Sequence, residues 1–124
     1  MTTDSAGSRK AAEIVAERWQ EFMGFGGDVI DPAMVRAAYA QPRLRVLFPG
    51  VSHGILHLSR CTGYPASHDV PLVHPLAAGG FQVTGRAGEG VLGEVATLEA
   101  AFALVVAHLP EGSGPAVLGT KDDL

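Results

Sequence analysis

A single cysteine, a single tryptophan and no run of basic residues mark this 124-residue chain. One cysteine cannot close an internal disulfide, so no disulfide framework is expected. The nine Lys and Arg are scattered and the formal net charge is -4, so no basic face invites nucleic acid. Charged residues amount to only 18%, yet no apolar run approaches the ~20 residues that span a bilayer. A membrane partner is therefore not expected. The opening MTTDSAGSRK is polar and lacks the apolar core of a secretory signal. A cytoplasmic location is the expectation.

Apolar residues make up 47% of the chain. That exceeds what one small core absorbs, and the surplus predicts a homodimer or an apolar ligand. The length suits one domain. Residues 1–8 read as a flexible leader and 9–124 as a single domain.

Ser8 is a suitable N-cap for a first helix running to about Met23, with Ala12, Val15, Trp19 and Phe22 on one stripe. Gly24 ends it. Asp31 and Pro32 open a second helix as N-cap and first residue, and that helix must stop before Pro42. In RLRVLF, Leu44, Val46 and Phe48 alternate with Arg43 and Arg45, which predicts a strand. PGVS reads as a turn. HGILHLSR alternates again, with Leu56 and Leu58 on one face and His57 and Ser59 on the other. CTGYPASHDVP is a loop, PLVHP a short edge piece, FQVTGR and VLGEV two more strands, with AGEG the turn between them. Thr97 caps a third helix with Leu98, Ala101, Phe102 and Val105 on its apolar face. The strand spacings suit a meander. The predicted fold class is α+β: a small antiparallel sheet of three to five short strands, with two N-terminal helices and one C-terminal helix packed against it.

The unusual chemistry gathers in residues 47–75. That stretch holds four of the five histidines, the only cysteine and Arg60. His53 and His57 are four apart, but on a strand that separation is roughly 13 Å, too far to share one ion. No metal is expected, since zinc needs three or four convergent ligands. Ser52-His53 and Ser67-His68 are neighbours on extended chain and point oppositely, so neither pair makes a nucleophile and base. Cys61 reads as a small semi-buried residue rather than a thiol made acidic by Arg60. Arg43, Arg45 and Arg60 lie on predicted neighbouring strands. One pair is suited to clamp a carboxylate, or each is taken by Asp31, Asp69 or Glu94. Trp19, Phe22, Met23 and Phe25 form either core or the lining of a peptide groove.

The phrases PRLRVLFPGVSHGILHLSR, GYPASHDVPLVHP, LPEGSGPAVLGTKDDL and VIDPAMVRAAYAQP resemble small accessory proteins of natural-product clusters. The resemblance extends from about Trp19 to Leu124 and is nearest to the lysinoalanine synthases of cinnamycin- and duramycin-type lantibiotic biosynthesis. It implies a lanthipeptide maturation enzyme, dimeric and free of cofactor, acting on a modified precursor peptide. A peptide lysine would add to a dehydroalanine of the same peptide, with a hydroxyaspartate of the substrate as base. Combined with the residue pattern, this assigns His53, Ser52 and Thr62 to the chemistry. Arg60, Arg45, Phe22, Met23, Tyr64 and His74 are assigned to substrate binding. The competing readings are a non-catalytic peptide chaperone or immunity protein, and a docking partner of a larger synthetase.

Overall fold

The computed structural model describes residues 2–86 and 88–124. Met1 of the expected leader and Ala87 of the expected AGEG turn lie outside the described residues. The order is α1 (Thr2–Met23), α2 (Pro32–Tyr39), β1 (Phe48–Ser52), β2 (Ile55–Ser59), β3 (Leu72–Pro75), β4 (Phe81–Thr84), β5 (Val91–Val95) and α3 (Leu98–Ala107). The α+β class is as expected. The five antiparallel strands fall into two sheets, a β1–β2 hairpin and a three-stranded sheet ordered β3–β4–β5. Helix α1 packs on the hairpin, α3 covers the three-stranded sheet, and α2 bridges the two helices. No helix among the described residues is long and apolar enough to cross a membrane.

Helix α1 begins well before Ser8, which lies inside the helix rather than capping it. Nothing in residues 2–8 breaks a helix. Gly7 lowers helix propensity by ~1 kcal/mol without ending the turn. The buried stripe is Ala11, Val15, Trp19 and Phe22, with Ala11 in place of the expected Ala12. Asp31 caps α2 as expected, its carboxylate accepting from the Ala33 N–H at 2.9 Å. Thr97 caps α3, accepting from the Ala100 N–H at 3.1 Å.

Residues 41–47 differ from the strand expected there. Leu44 and Arg45 both donate their N–H to the Gln41 carbonyl, and Leu47 donates to Leu44, each at 3.0 Å. These are successive turns, so the buried residues are Leu44 and Leu47, three apart, while Arg43 and Arg45 face solvent. The strand starts at Phe48 and includes PGVS, the expected turn. Its proline is tolerable because β1 is an edge strand. Its outer side is met by α1, where Arg18 Nε donates to the Pro49 carbonyl at 3.4 Å. The chain reverses instead at His53-Gly54, with φ of 53° and 75°. Positive φ at both centres is what a two-residue hairpin of the I′ kind requires.

One core joins the layers. Trp19 is fully buried, edge-on to Phe22 and Tyr39, and donates its indole N–H to the Leu47 carbonyl at 3.0 Å. On the other side Val73 and Val83 meet Ala101, Phe102 and Val105 of α3. Gly93 permits this approach, since a Cβ there would sit 3.0 Å from Leu104 Cδ2.

Trp19→Phe removes ring volume and leaves the buried Leu47 carbonyl without its donor. The expected cost is about 2–4 kcal/mol. Urea unfolding followed by far-UV circular dichroism measures it, because the substitution also removes the only tryptophan fluorophore.

Candidate functional site

The hairpin places side chains on alternate faces. Leu56 and Leu58 of β2 go to the core. His57 and Ser59 therefore face the other way, opposite Gly50 and Phe48 of β1 respectively. Gly50 has no side chain, so a hollow opens beside the His57 ring. Over it lies the loop after β2. The result is a cleft of about 190 Å3 lined by Phe48, Gly50, His57, Thr62, His68 and Arg86 among others. Pockets for drug-sized ligands typically span ~300–1,000 Å3. This one suits a single side chain or a small group.

The loop is fixed by hydroxyls and by the C-terminal segment. Ser59 Oγ accepts the N–H of Cys61 at 3.2 Å and of Ser67 at 3.1 Å. Ser67 Oγ accepts the Arg60 N–H at 3.0 Å. The C-terminal segment enters between Val46 and Arg60: the Ala116 N–H donates to Val46, Val117 donates to Arg60, and Thr62 donates to Val117, each at 2.9 Å. The Gly119 N–H then donates to Thr62 Oγ1 at 3.3 Å and the Lys121 N–H to the Pro65 carbonyl at 3.0 Å. Cys61 is fully buried among these contacts, the structural role expected of it.

Arg86 arrives from the β4–β5 turn. The Gly85 N–H donates to the Gly90 carbonyl at 2.7 Å and the Arg86 N–H to Glu89 Oε1 at 3.2 Å. This backbone fixation presents the guanidinium to His68, whose Nδ1 accepts from Arg86 Nη2 at 3.4 Å. Among the described residues no carboxylate forms an ion pair with Arg86, and no Asp or Glu lines the cleft. Arg86 is the formally charged residue of the lining. Burial first, then Arg86, His68, His74 and His53, hold the His57 imidazole below its ordinary proton affinity.

The residues singled out from sequence are dispersed. Thr62 and Tyr64 line the cleft, Tyr64 being 86% exposed and the Thr62 hydroxyl engaged by Gly119. Ser52 and His53 lie exposed at the hairpin tip. His74 sits on β3, its Nε2 3.0 Å from Thr84 Oγ1. Arg60 is not free to clamp a ligand: Nε donates to Asp69 Oδ2 at 2.9 Å and Nη2 to the same oxygen. Burial raises the Asp69 proton affinity, but the Arg60 hydrogen bonds and charge outweigh it and leave the carboxyl below its ordinary range. Arg45 lies over the Tyr39 ring at 5.4 Å and donates to the Ala40 carbonyl, away from the cleft. Phe22 is core, while Met23 is exposed at the end of α1. His57 and His68 were weighed only for a metal and for a Ser-His pair, and Arg86 and Gly50 were not singled out. The shared face of His57 and Ser59 was the signal for His57. Among the described residues no three His, Cys, Asp or Glu side chains converge as ligands for a metal ion.

His57 gives a pH signature. Its folded-state proton affinity is depressed, so the unfolded chain binds this proton more readily. Stability is therefore lost as pH falls through the ordinary histidine range near ~6.5 and below. Urea midpoints measured at about pH 7.5 and 5.5 should differ less in His57→Gln than in the native protein. An equal difference would mean that other groups carry the acid sensitivity.

No curated protein and no solved structure matches the chain significantly. A family model does, over residues 13–120, covering α2, both sheets, α3 and every residue of the cleft. The chain belongs to that family, DUF6193, a family of unknown function.

Proposed function

We propose that this protein is a peptide-maturation enzyme that closes a lysinoalanine cross-link, posing the reacting segment at the cleft between the β1–β2 hairpin and the 62–68 loop. The observation that supports the reading best is the lining itself: apolar walls, a neutral-leaning imidazole and no carboxylate. The sequence resemblance supplies the reaction. A lysine nitrogen bonds to the β-carbon of dehydroalanine, and the alkene electron pair moves toward the carbonyl as an enolate. One proton leaves the amine and one arrives at the α-carbon, so the product is an isomer of the substrate.

Such a reaction needs an aligned pose more than a complete triad. Well-oriented intramolecular attack is worth about 7–11 kcal/mol. His57 is suited to take the amine proton, because its neutral form persists to lower pH than an ordinary histidine's. A positioned base contributes roughly 10²–10⁴-fold. The proposal keeps the homodimer, for which exposed Val91, Leu118 and Leu124 are apolar side chains a second copy would cover. A second reading is binding without catalysis. It is favoured by one observation: among the described residues no side chain hydrogen-bonds to the His57 ring, whereas catalytic bases are usually oriented by a partner. A base supplied by the substrate would remove that objection.

The test incubates a lanthipeptide carrying one dehydroalanine and one free lysine with the protein, then adds excess small thiol. Cross-linked peptide no longer takes up thiol, and fragmentation locates the closed ring. Gly50→Val is the control for the site. A Cβ at Gly50 meets only the His57 carbonyl at 3.7 Å and the residue has no positive φ, so stability should change by under about 1 kcal/mol. The filled cleft should lose at least ten-fold in rate. Full thiol uptake by a peptide that demonstrably binds the native protein would leave binding alone.

A further inference from the structure

We propose that the cleft is a recognition site for a carboxylate on a short apolar stem, with Arg86 and His68 holding the anion and Phe48, Ala66 and the Tyr64 ring taking the stem. This rests on the reading that the cleft is the ligand site, and it adds the chemical class of the group that enters.

The argument is one of unmatched charge. The protein satisfies its other partly covered arginines internally. Arg18 pairs with Glu21 at 2.8 Å and lies over Phe22 and Phe48 at 5.0 and 5.8 Å. Arg60 is taken by Asp69. Arg86 alone among these three faces imidazoles, beside a cleft with no acidic residue in its lining. Its N–H is held by Glu89 Oε1 and that of Gly85 by the Gly90 carbonyl, which place the Arg86 backbone beside the cleft. A guanidinium fork and an imidazole side by side match two carboxylate oxygens, and charge-assisted bonds of this kind are about twice as strong as neutral ones. The cleft volume of about 190 Å3 admits one such group with its stem.

Binding would also act on His57. The groups that face it from the neighbouring elements are Arg86 from the β4–β5 turn, His68 from the loop, His74 from β3 and His53 from the hairpin tip. Each of them disfavours the charged form of His57. A carboxylate seated on Arg86 and His68 offsets that field, and the proton affinity of His57 rises. The ligand thereby strengthens the base beside it.

Two sources offer this chemistry, a chain terminus and an acidic side chain. The probes are N-acetyl-leucine, which has only a terminal carboxylate, and N-acetyl-aspartic acid α-amide, which has only a side-chain carboxylate. N-acetyl-leucinamide is the neutral control. Titrations followed by histidine C–H resonances should show at least one carboxylate binding ten-fold or more tighter than the amide. That preference should vanish in Arg86→Gln, and the His57 titration should move to higher pH at saturating probe. Whichever carboxylate binds names the source. Equal affinities for acid and amide, no binding of either acid, an undiminished preference in Arg86→Gln, or an unmoved His57 titration would each overturn the assignment. The thiol-capture assay separates this from the proposed reaction. Cross-linking that Gly50→Val blocks, without carboxylate preference, removes only the anion site. Carboxylate preference without cross-linking removes only the reaction.

Discussion

The indole of Trp19 is the contact that anchors the hairpin side of the cleft to the core. Its N–H holds the Leu47 carbonyl at 3.0 Å from within the core, and a buried donor or acceptor left unmade costs about 1–3 kcal/mol. That bond fixes where the turns after α2 end, and so where β1 begins. Strand faces alternate with a period of two, so a one-residue slip would exchange every inward and outward side chain. With Phe48 starting β1, Gly50 comes opposite His57 and Phe48 opposite Ser59. The hollow beside His57 exists because the residue across the ladder is the one without a side chain. Trp19 anchors the chain at Leu47, the residue before Phe48 of the cleft lining.

The two walls of the cleft are built differently. The hairpin wall has a five-residue ladder on each strand and a buried apolar face behind it. The loop wall has no ladder of its own. It is held by two serine hydroxyls and by a C-terminal segment that reaches it from more than fifty residues away in sequence. Segments held by few bonds open at lower free energy than core strands. The arrangement combines a rigid floor, which fixes His57, with a wall whose stability depends on the last nine residues of the chain staying in place.

The sequence made the helices legible because their signals are local. Asp31-Pro32 and Thr97 carry their own capping chemistry, and both caps form. Residues 43–48 misled because Leu47 and Leu44 satisfy a three-residue spacing as well as the alternation of its neighbours. The core chose the former. Pro49-Gly50 looked like the turn, while the true reversal uses His53 at positive φ, a conformation that histidine's identity does not advertise. The candidate site was legible only in part for the same reason. Thr62 and Tyr64 could be found because they belong to the unusual stretch itself. For Arg60 the sequence left a ligand clamp and an ion pair with Asp31, Asp69 or Glu94 open, and the loop brings Asp69 to it. Arg86 belongs to a turn of the other sheet, and its approach to His68 has no trace in spacing along the chain.

Local rules of good folding are obeyed through most of this molecule, and that gives the exceptions their meaning. Buried hydroxyls are bonded, the one cysteine is enclosed, and Arg18 and Arg60 have anionic partners. Around His57 the pattern reverses. An arginine and three other histidines surround a partly buried imidazole, each disfavouring its charge, and no acid in the lining offsets them. Departures from local consistency concentrate where a protein binds or reacts, because there the missing partner is supplied by something else. The same field that weakens His57 as a cation keeps it available as a base, and an incoming anion would relieve the repulsion and raise its basicity together. On the proposed reading, recognition and proton transfer would be coupled through this one electrostatic feature.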